Sequence, residues 1–297
     1  MREPGFHPPP YLVTGAGGML GRDLVEVLTR SGIECFRMTH RQMDITSLAS
    51  IQRALAALRP GTVINAAAWT DVDGAEQREA DAFQVNAVAA GRLAEACRAR
   101  GVVLVHVSTD YVFDGTSYRA YGEDDPVQPQ GAYARSKAEG ERLIRLGLPE
   151  GHCIVRTQWL FGRGGRNFVR SILEAAAQKD VLEVVHDQYG SPSYTEDVAD
   201  AVLRLCRVGA LGVFHVRNTG VTTWFRFAEE ILRQAGVEGV LVRPITSERL
   251  ARPAPRPLRA VLDCSKYERI TGHRLRHWRE ALAAYLDTRE GEQRPCG

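Results

Sequence analysis

Short, continuously apolar runs alternate with longer stretches of mixed character along the first half of the chain. The apolar runs are "YLVTGA" from Tyr11, "IECFRM" from Ile33, "TVINAAA" from Thr62 and "VVLVHVS" from Val102. Such runs, ending at small or polar residues, read as strands buried on both faces. Between them, "MLGRDLVEVLTRSG" from Met19, "SLASIQRALAALRPG" from Ser47 and "EADAFQVNAVAAGRLAEACRARG" from Glu79 space their apolar residues three and four apart. That is the period of a helix with one buried face, and each stretch stops at a breaker: Gly32, Pro60 and Gly101. Strand and helix in alternation predict an α/β fold, a doubly wound parallel sheet covered by helices on both faces. After Lys137 the alternation loosens. "HCIVRTQWL" from His152 and "VLEVV" from Val181 predict strands, and "EDVADAVLRLCR" from Glu196 and "HWREALAAYL" from His277 predict helices. "RPAPRPLRA" from Arg252 is too rich in proline to be helical. The opening "MREPGFHPPP" reads as a disordered lead-in, and the last residues as a frayed end.

At 297 residues the chain suffices for one large domain or two smaller ones. Its net charge of +2 comes from interspersed acidic and basic residues, so no basic face marks a nucleic-acid partner. No apolar run approaches the roughly 18 residues of a membrane span, and the opening lacks the apolar core of a secretory signal. The six cysteines include no C-x-x-C, which argues against a zinc ribbon, a redox motif or a disulfide scaffold and predicts reduced thiols in a cytoplasmic protein. His273 and His277 have a helical metal spacing without a third ligand, so a surface helix and no metal are expected.

"TGAGGMLG" joins the first strand to the first helix. Gly15, Gly18 and Gly21 fall in a G-x-x-G-x-x-G frame, while Leu20 holds the place of the last glycine in G-x-G-x-x-G. The glycines permit a tight turn and close backbone approach, and the helix start offers free N–H groups to a pyrophosphate. A dinucleotide is therefore expected against Gly15, Gly18, Met19, Leu20 and Gly21. An NAD-selective corner places an acid at the end of the second strand. Here Arg37, His40 and Arg41 stand there, and the first carboxylate is Asp44. Cations at that corner suit a 2′-phosphate, so NADPH is expected, with NADH left open.

The fourth strand runs into "HVSTDYVFDG", which puts Ser108, Thr109, Asp110 and Tyr111 at the carboxyl edge where such sheets bind ligands. "GAYARSKAEGERL" then sets Tyr133 and Lys137 one helical turn apart. Y-x-x-x-K alone recurs by chance, but behind a dinucleotide turn it acquires a chemistry. A phenol with a pKa of about 10 is a weak acid. An ammonium on the same face would stabilise the phenolate and bring the phenol toward working pH. Lys137 could also bind the nicotinamide ribose, and the Thr109 hydroxyl could orient a carbonyl oxygen. Together these parts predict ketone reduction.

Those motifs, with "MDITS", "VINAAAWTDVDGAE", "VNAVAAGRLAEAC", "RTQWLFG" and "QYGSPSYTEDVADAV", resemble the extended short-chain dehydrogenase/reductase family over nearly the whole chain. Within it, the chain is most similar to the dTDP-4-dehydrorhamnose reductase branch. The resemblance implies a Rossmann-type domain, mainly residues 1–160. It also implies a smaller, partly C-terminal substrate-binding domain, mainly residues 161–297, with some segments returning to the Rossmann sheet. It implies NADPH-dependent reduction of the 4-keto group of dTDP-4-dehydro-6-deoxy-L-mannose to dTDP-L-rhamnose. Thr109 would take the usual serine's role, Tyr133 would be the acid and Lys137 its partner. Asp44 and Ile45 would flank the adenine of the cofactor, and Ala66, Ala67 and Ala68 its middle. Asp110 and Tyr111 would touch the substrate, Val72 and Trp159 would line the sugar pocket, and Arg256 would meet the pyrophosphate. The family's R-P-x-N-S-x-L reads here from Arg256 to Leu262, with Arg259 and Ala260 in the Asn and Ser places. An added cation there could alter substrate choice. A nucleotide sugar is thus the expected small-molecule partner, and homodimer formation is left open. The alternatives are reduction of another dTDP-4-keto-deoxysugar, or a non-enzymatic NADP-binding regulatory subunit such as that of methionine adenosyltransferase. The intact Thr109, Tyr133 and Lys137 set argues against the second.

Overall fold

The structure is a computed structural model, and it describes residues 6–293. Strands β1 (Tyr11–Thr14), β2 (Cys35–Met38), β3 (Thr62–Asn65), β4 (Val103–Thr109) and β5 (His152–Thr157) join an edge strand, Gly212–His215, in one six-stranded sheet. Every pairing in it is parallel, and the order is Gly212–His215, β5, β4, β3, β1, β2. The chain steps outward from β1 to β2, then returns to β3 on the other side of β1. The strand order therefore reverses between β1 and β3, and a crevice opens at their carboxyl ends. The expected doubly wound α/β architecture is what forms.

In chain order the main helices are α1 (Met19–Arg30), α2 (Leu48–Leu58), α3 (Val72–Gln77), α4 (Glu79–Phe83), α5 (Ala89–Arg98), α6 (Gly131–Gly147), α7 (Phe168–Ala176), α8 (Thr195–Arg207) and α9 (Trp224–Gln234). Successive strand residues point to opposite faces, and the core divides accordingly. Tyr11 and Val13 pack with Leu24, Val27, Val105 and Val155 and with Val198 and Val202 of α8. Leu12 packs with Ile51, Leu55, Val63, Leu93, Leu104 and Ile144 on the other face. A third, aromatic cluster holds Phe161, Tyr194, Phe227 and Trp278 among α7, α9 and the closing helix Trp278–Gln293. Beside it, Val181–Val185 pairs in parallel with Leu241–Ile245.

Some elements depart from the sequence reading. The edge strand Gly212–His215 and helices α7 and α9 are not among those predicted; the strand is four residues long and begins at glycine, too short for its apolar run to stand out. His273 and His277 do not share a helix. Gly272, at φ +65, ends the helix Ser265–Thr271, and both histidines lie in the link to the closing helix. His273 Nδ1 is 3.0 Å from the Tyr267 hydroxyl, and no cluster of three metal-ligating side chains exists among the described residues. The lead-in is not loose from His7 onward. His7 is buried, its N–H donates to the Cys206 carbonyl at 2.8 Å, and its own carbonyl accepts from the Tyr11 hydroxyl at 2.8 Å. Residues 1–5, the frayed end and Cys296 lie outside the described residues.

Helix α6 is seated from two sides. A π turn, Gln84–Val88, links α4 to α5 and presents Asn86, whose Nδ2 donates to Ser136 Oγ at 3.0 Å and whose Oδ1 accepts from the Trp69 N–H at 2.9 Å. A Cβ on Gly140 would strike the Asn86 carbonyl, so only glycine allows this approach. On the sheet side the buried Glu141 carboxylate accepts from Arg156 Nε at 2.9 Å and Nη2 at 2.7 Å, and from Ser108 Oγ at 2.6 Å. Arg145 adds a fourth donor at 2.9 Å. Arg156→Met would strand a buried carboxylate and should lower stability in urea unfolding by about 3–5 kcal/mol. Removing both charges, in Arg156→Met with Glu141→Leu, should recover most of that loss; a double variant as unstable as the single one would contradict the clamp.

Candidate active site

The glycine turn owes its shape to two interlocked residues. Gly15 has φ +65, and a Cβ there would come within 2.6 Å of Ala67 N and 2.7 Å of the Ala66 carbonyl carbon. A Cβ on Gly21 would strike the Gly15 carbonyl. The first glycine thus lets β1 approach the end of β3, and the third lets α1 ride over the first. Gly18 caps α1 and its N–H donates to the Gly15 carbonyl at 2.9 Å. The first turn of α1, which includes Met19, Leu20 and Gly21, holds no acidic residue and no side-chain cap. Its free N–H groups and positive dipole end are left available to an anion. Ala66, Ala67 and Ala68 follow β3 and are half-buried beside it.

At the end of β2, Arg37, His40 and Arg41 are exposed. Asp44 is held below the usual carboxylate range by hydrogen bonds from the Thr46 hydroxyl at 2.7 Å and its N–H at 2.9 Å. Ile45 is a core residue, packed with Leu12 and Ile51.

The reactive groups meet where β4 ends. Thr109 Oγ1 donates to Asp110 Oδ1 at 3.1 Å and accepts from the Tyr111 N–H at 3.2 Å, and its hydroxyl stands near enough to the Tyr133 phenol to oppose that group's upward pKa shift. Tyr111 stands edge-on to Tyr133, with ring centroids 5.6 Å apart. Burial pushes the Asp110 carboxyl up to about 7, against its bond to Thr109. Burial likewise pushes the Tyr133 phenol up to about 12, with the Thr109 hydroxyl opposing. This departs from the expectation that Lys137 brings the phenol down. Lys137 Nζ is turned instead to the Val107 carbonyl, at 2.7 Å, and to His106 Nε2, at 3.2 Å. Its own pKa falls to about 8 through burial, with Glu141 opposing.

On the far wall, Val72 opens α3 and is half-buried. The adjacent Asp73 gathers two arginines from the proline-rich segment: Arg256 on both carboxylate oxygens at 2.8 Å, and Arg252 at 3.1 Å. Hydrogen bonds from Arg256 above all hold the Asp73 carboxyl down to about 2. Arg256 is thus tied to α3, and its Nη1 also donates to the Ala254 carbonyl at 2.7 Å. Arg259 lies between Tyr118 and Tyr189, 4.8 Å and 4.1 Å from their ring centroids, and Ala260 is buried. Trp159 has φ +47, a strained backbone for an indole, and stacks on Trp224 with centroids 3.7 Å apart.

Several residues of this site lie inside the motifs quoted above but were given no role there. His106, Asn65, Glu141, Arg156 and Asp73 are polar side chains on otherwise apolar or amphipathic elements. Asn65, His106 and Arg156, on strands buried almost throughout, are the ones that a search for misplaced polar residues would have found. The arrangement as a whole converges a hydroxyl and a phenol on one point beside a dinucleotide turn, which is what a developing alkoxide requires.

The chain matches, over residues 10–290, the family described as RmlD substrate binding domain. It is 46% identical to a dTDP-4-dehydrorhamnose reductase of Streptomyces griseus, with 92% of each chain covered. It is 42% identical to a dTDP-4-keto-6-deoxy-D-glucose reductase of Streptomyces niveus, covering 92% of this chain and 94% of that one. The crystal structure of a dTDP-4-dehydrorhamnose reductase from Bacillus anthracis in complex with NADP superimposes with a TM-score of 0.90 at 33% identity, covering 94% of this chain and 98% of that one.

The raised pKa of Asp110 makes stability depend on pH. The unfolded chain loses this proton from about 4 upward, while the native state keeps it to about 7, so the native state loses stability as pH rises through that window. Asp110→Asn should match the wild type in urea unfolding near the bottom of the window. Above it the variant should be the more stable, by no more than about 4 kcal/mol at ~1.4 kcal/mol per pKa unit. Equal stability of the two proteins at both ends would show that Asp110 ionises normally.

Proposed function

The chain belongs to the RmlD substrate binding domain family, and on that footing we propose that it reduces the 4-keto group of dTDP-4-dehydro-6-deoxy-L-mannose to dTDP-L-rhamnose with NADPH. The observation that carries the reading is the convergence of Thr109 and Tyr133 on one point at the end of β4, beside the turn of Gly15, Gly18 and Gly21. The choice of a dTDP-sugar rests on the reductases of that name to which the chain is similar.

NADPH, when bound, supplies the hydride. Gly15, Gly18, Met19, Leu20 and Gly21 would hold its pyrophosphate, Ala66, Ala67 and Ala68 its middle, and Arg41, Asp44 and Ile45 its adenosine end. Thr109 would turn its hydroxyl from Asp110 to donate to the ketone oxygen, and Tyr133 would give that oxygen a proton. With its pKa pushed up to about 12, the phenol keeps that proton across the working range. The same burial opposes the phenolate left behind, and Thr109 and the ammonium form of Lys137 offset it. Asp110 and Tyr111 flank the reacting centre, Val72 and Trp159 would line the sugar, and Arg256 would meet the pyrophosphate while Asp73 holds it in place. In this reading residues 1–160 serve mainly the cofactor and residues 161–297 mainly the sugar nucleotide. A second reading, reduction of another dTDP-4-keto-deoxysugar, is favoured by Arg259 in the place of the family's asparagine and by the Streptomyces niveus relative.

Product identity decides between them: NMR of the product from dTDP-4-dehydro-6-deoxy-L-mannose should show dTDP-L-rhamnose. Turnover of a different keto-sugar alone would select the second reading, and turnover of none with NADPH bound would favour a regulatory subunit. Tyr133→Phe should retain NADPH affinity and lower kcat by roughly 10²–10⁴-fold, the span of general acid catalysis; a fully active variant would remove Tyr133 from the mechanism. Cofactor titration should show NADPH bound more tightly than NADH, with Arg41→Ala narrowing the gap. Equal affinities unaffected by that substitution would make the β2 corner plain surface.

A further inference from the structure

Beneath the reacting groups, three buried polar side chains that the mechanism above does not use lead in a row to Lys137. Thr14, Asn65 and His106 are register partners across β1, β3 and β4, so their side chains stand side by side on one face of the sheet. Lys137 of α6 closes the row, and all four residues are buried. Thr14 Oγ1 donates to Asn65 Oδ1 at 2.6 Å, Asn65 Nδ2 lies 3.0 Å from His106 Nδ1, and His106 Nε2 lies 3.2 Å from Lys137 Nζ.

The donors in this row can be assigned. Asn65 Oδ1 also accepts the Ala67 N–H at 3.3 Å, and a backbone N–H cannot reverse, so the amide presents Nδ2 to the imidazole. An amide nitrogen only donates, so His106 Nδ1 must accept. A neutral imidazole then carries its one proton on Nε2, pointing at Lys137. Burial and the nearby lysine drive the His106 pKa well down, so the ring stays neutral. An ammonium has no lone pair to receive Nε2–H. The contact is a hydrogen bond only if Lys137 is a neutral amine that accepts from His106 while donating to the Val107 carbonyl.

We propose that His106 and Asn65 are positioning residues that set the protonation state of Lys137: amine when His106 carries its proton on Nε2, ammonium only when that proton sits on Nδ1. The balance is one proton. Lys137 takes it from solvent, His106 keeps a single proton on its other nitrogen, and the Asn65 amide turns over to accept from Nδ1–H. The turn costs the Ala67 N–H its partner and makes Thr14 Oγ1 an acceptor. The charge that supports the Tyr133 phenolate is thereby conditional on a switch in the row, which rests on the reductase reading for its purpose but not for its existence.

The groups facing Lys137 are consistent with this control. Glu141, one turn along α6, raises its pKa, but that carboxylate is already engaged by Arg156, Arg145 and Ser108. Tyr133 on α6 and Asp110 after β4 are both held toward their neutral forms by burial. His106 is thus the partner on β4 that meets Nζ directly.

The test needs no turnover. The chain has three lysines, Lys137, Lys179 and Lys266, so ¹³Cε signals of lysine can be assigned and titrated. With ¹⁵N-labelled histidine, long-range ¹H–¹⁵N correlations report which His106 nitrogen carries the proton. On the cofactor-free wild type the proton should sit on Nε2 at high pH and move to Nδ1 as Lys137 charges, both signals sharing a midpoint near about 8. A His106 proton that stays on one nitrogen through the Lys137 titration would overturn the proposal. His106→Gln, whose amide can turn its oxygen to the ammonium, should raise the Lys137 midpoint and shift the corresponding limb of the kcat/KM–pH profile in the same direction. A uniform loss of kcat at every pH, with the midpoint unmoved, would reduce His106 to a packing residue. If that variant does not fold, the wild-type titration alone decides. A protein that turns over no keto-sugar can still show the linked titration, so the two readings fail separately.

Discussion

The Glu141 carboxylate, buried and ionised between α6 and the sheet, is the constraint on which the site depends. Taking a carboxylate and a guanidinium out of water costs several kcal/mol per ion, and only good geometry with further hydrogen bonds offsets that cost. Here Arg156 binds both oxygens, and Ser108 and Arg145 complete the shell. The partners matter for where they sit. Ser108 immediately precedes Thr109 on β4, Arg156 is its register partner on β5, and Glu141 follows Lys137 by one turn of α6. One ion pair therefore fixes the helix that carries the phenol and the lysine against the strand end that carries the hydroxyl. Asn86 of the π turn and the bare Cα of Gly140 set the opposite side of the same helix. Irregular helical turns of this type are common near functional sites, and this one presents a side chain that a regular helix would direct elsewhere.

The first half of the sheet was legible chiefly because β1, β3 and β4 are buried on both faces, although the edge strand β2 is not. Continuous apolar runs such as β1 and β3 admit little else, and glycine or proline marks where the helices between them stop. The glycine turn was equally legible, since Gly15 and Gly21 answer to contacts of the backbone with itself. The second half is built otherwise. Its core is aromatic and shared among α7, α9 and the closing helix, and beyond β5 its contribution to the main sheet is the short Gly212–His215, so periodicity says less. The histidine pair was misplaced on a helix because spacing alone does not register the left-handed Gly272 between two short elements.

Within the site, the sequence identified which residues meet but not the electrostatic state in which they meet. Tyr133 and Lys137 at one-turn spacing suggest an ammonium lowering a phenol, yet the direction depends on what else faces each group. Burial dominates both, and Lys137 has nearer partners in Val107 and His106. Likewise Arg256 reads as a free cation in a proline-rich segment until Asp73 is found beneath it. These partners come from strands and helices far apart in sequence, and no local pattern announces them.

The central claim is that Thr109, Tyr133 and Lys137, clamped at the end of β4 beside a dinucleotide turn, direct hydride to the 4-keto carbon of a dTDP-sugar. Isotope transfer tests it most directly. With NADPH deuterated at C4 of the nicotinamide, on the transferred face, the account predicts a product carrying one deuterium at the sugar's C4 and none elsewhere. Cofactor oxidised without label in the sugar, or label at any other carbon, would contradict it.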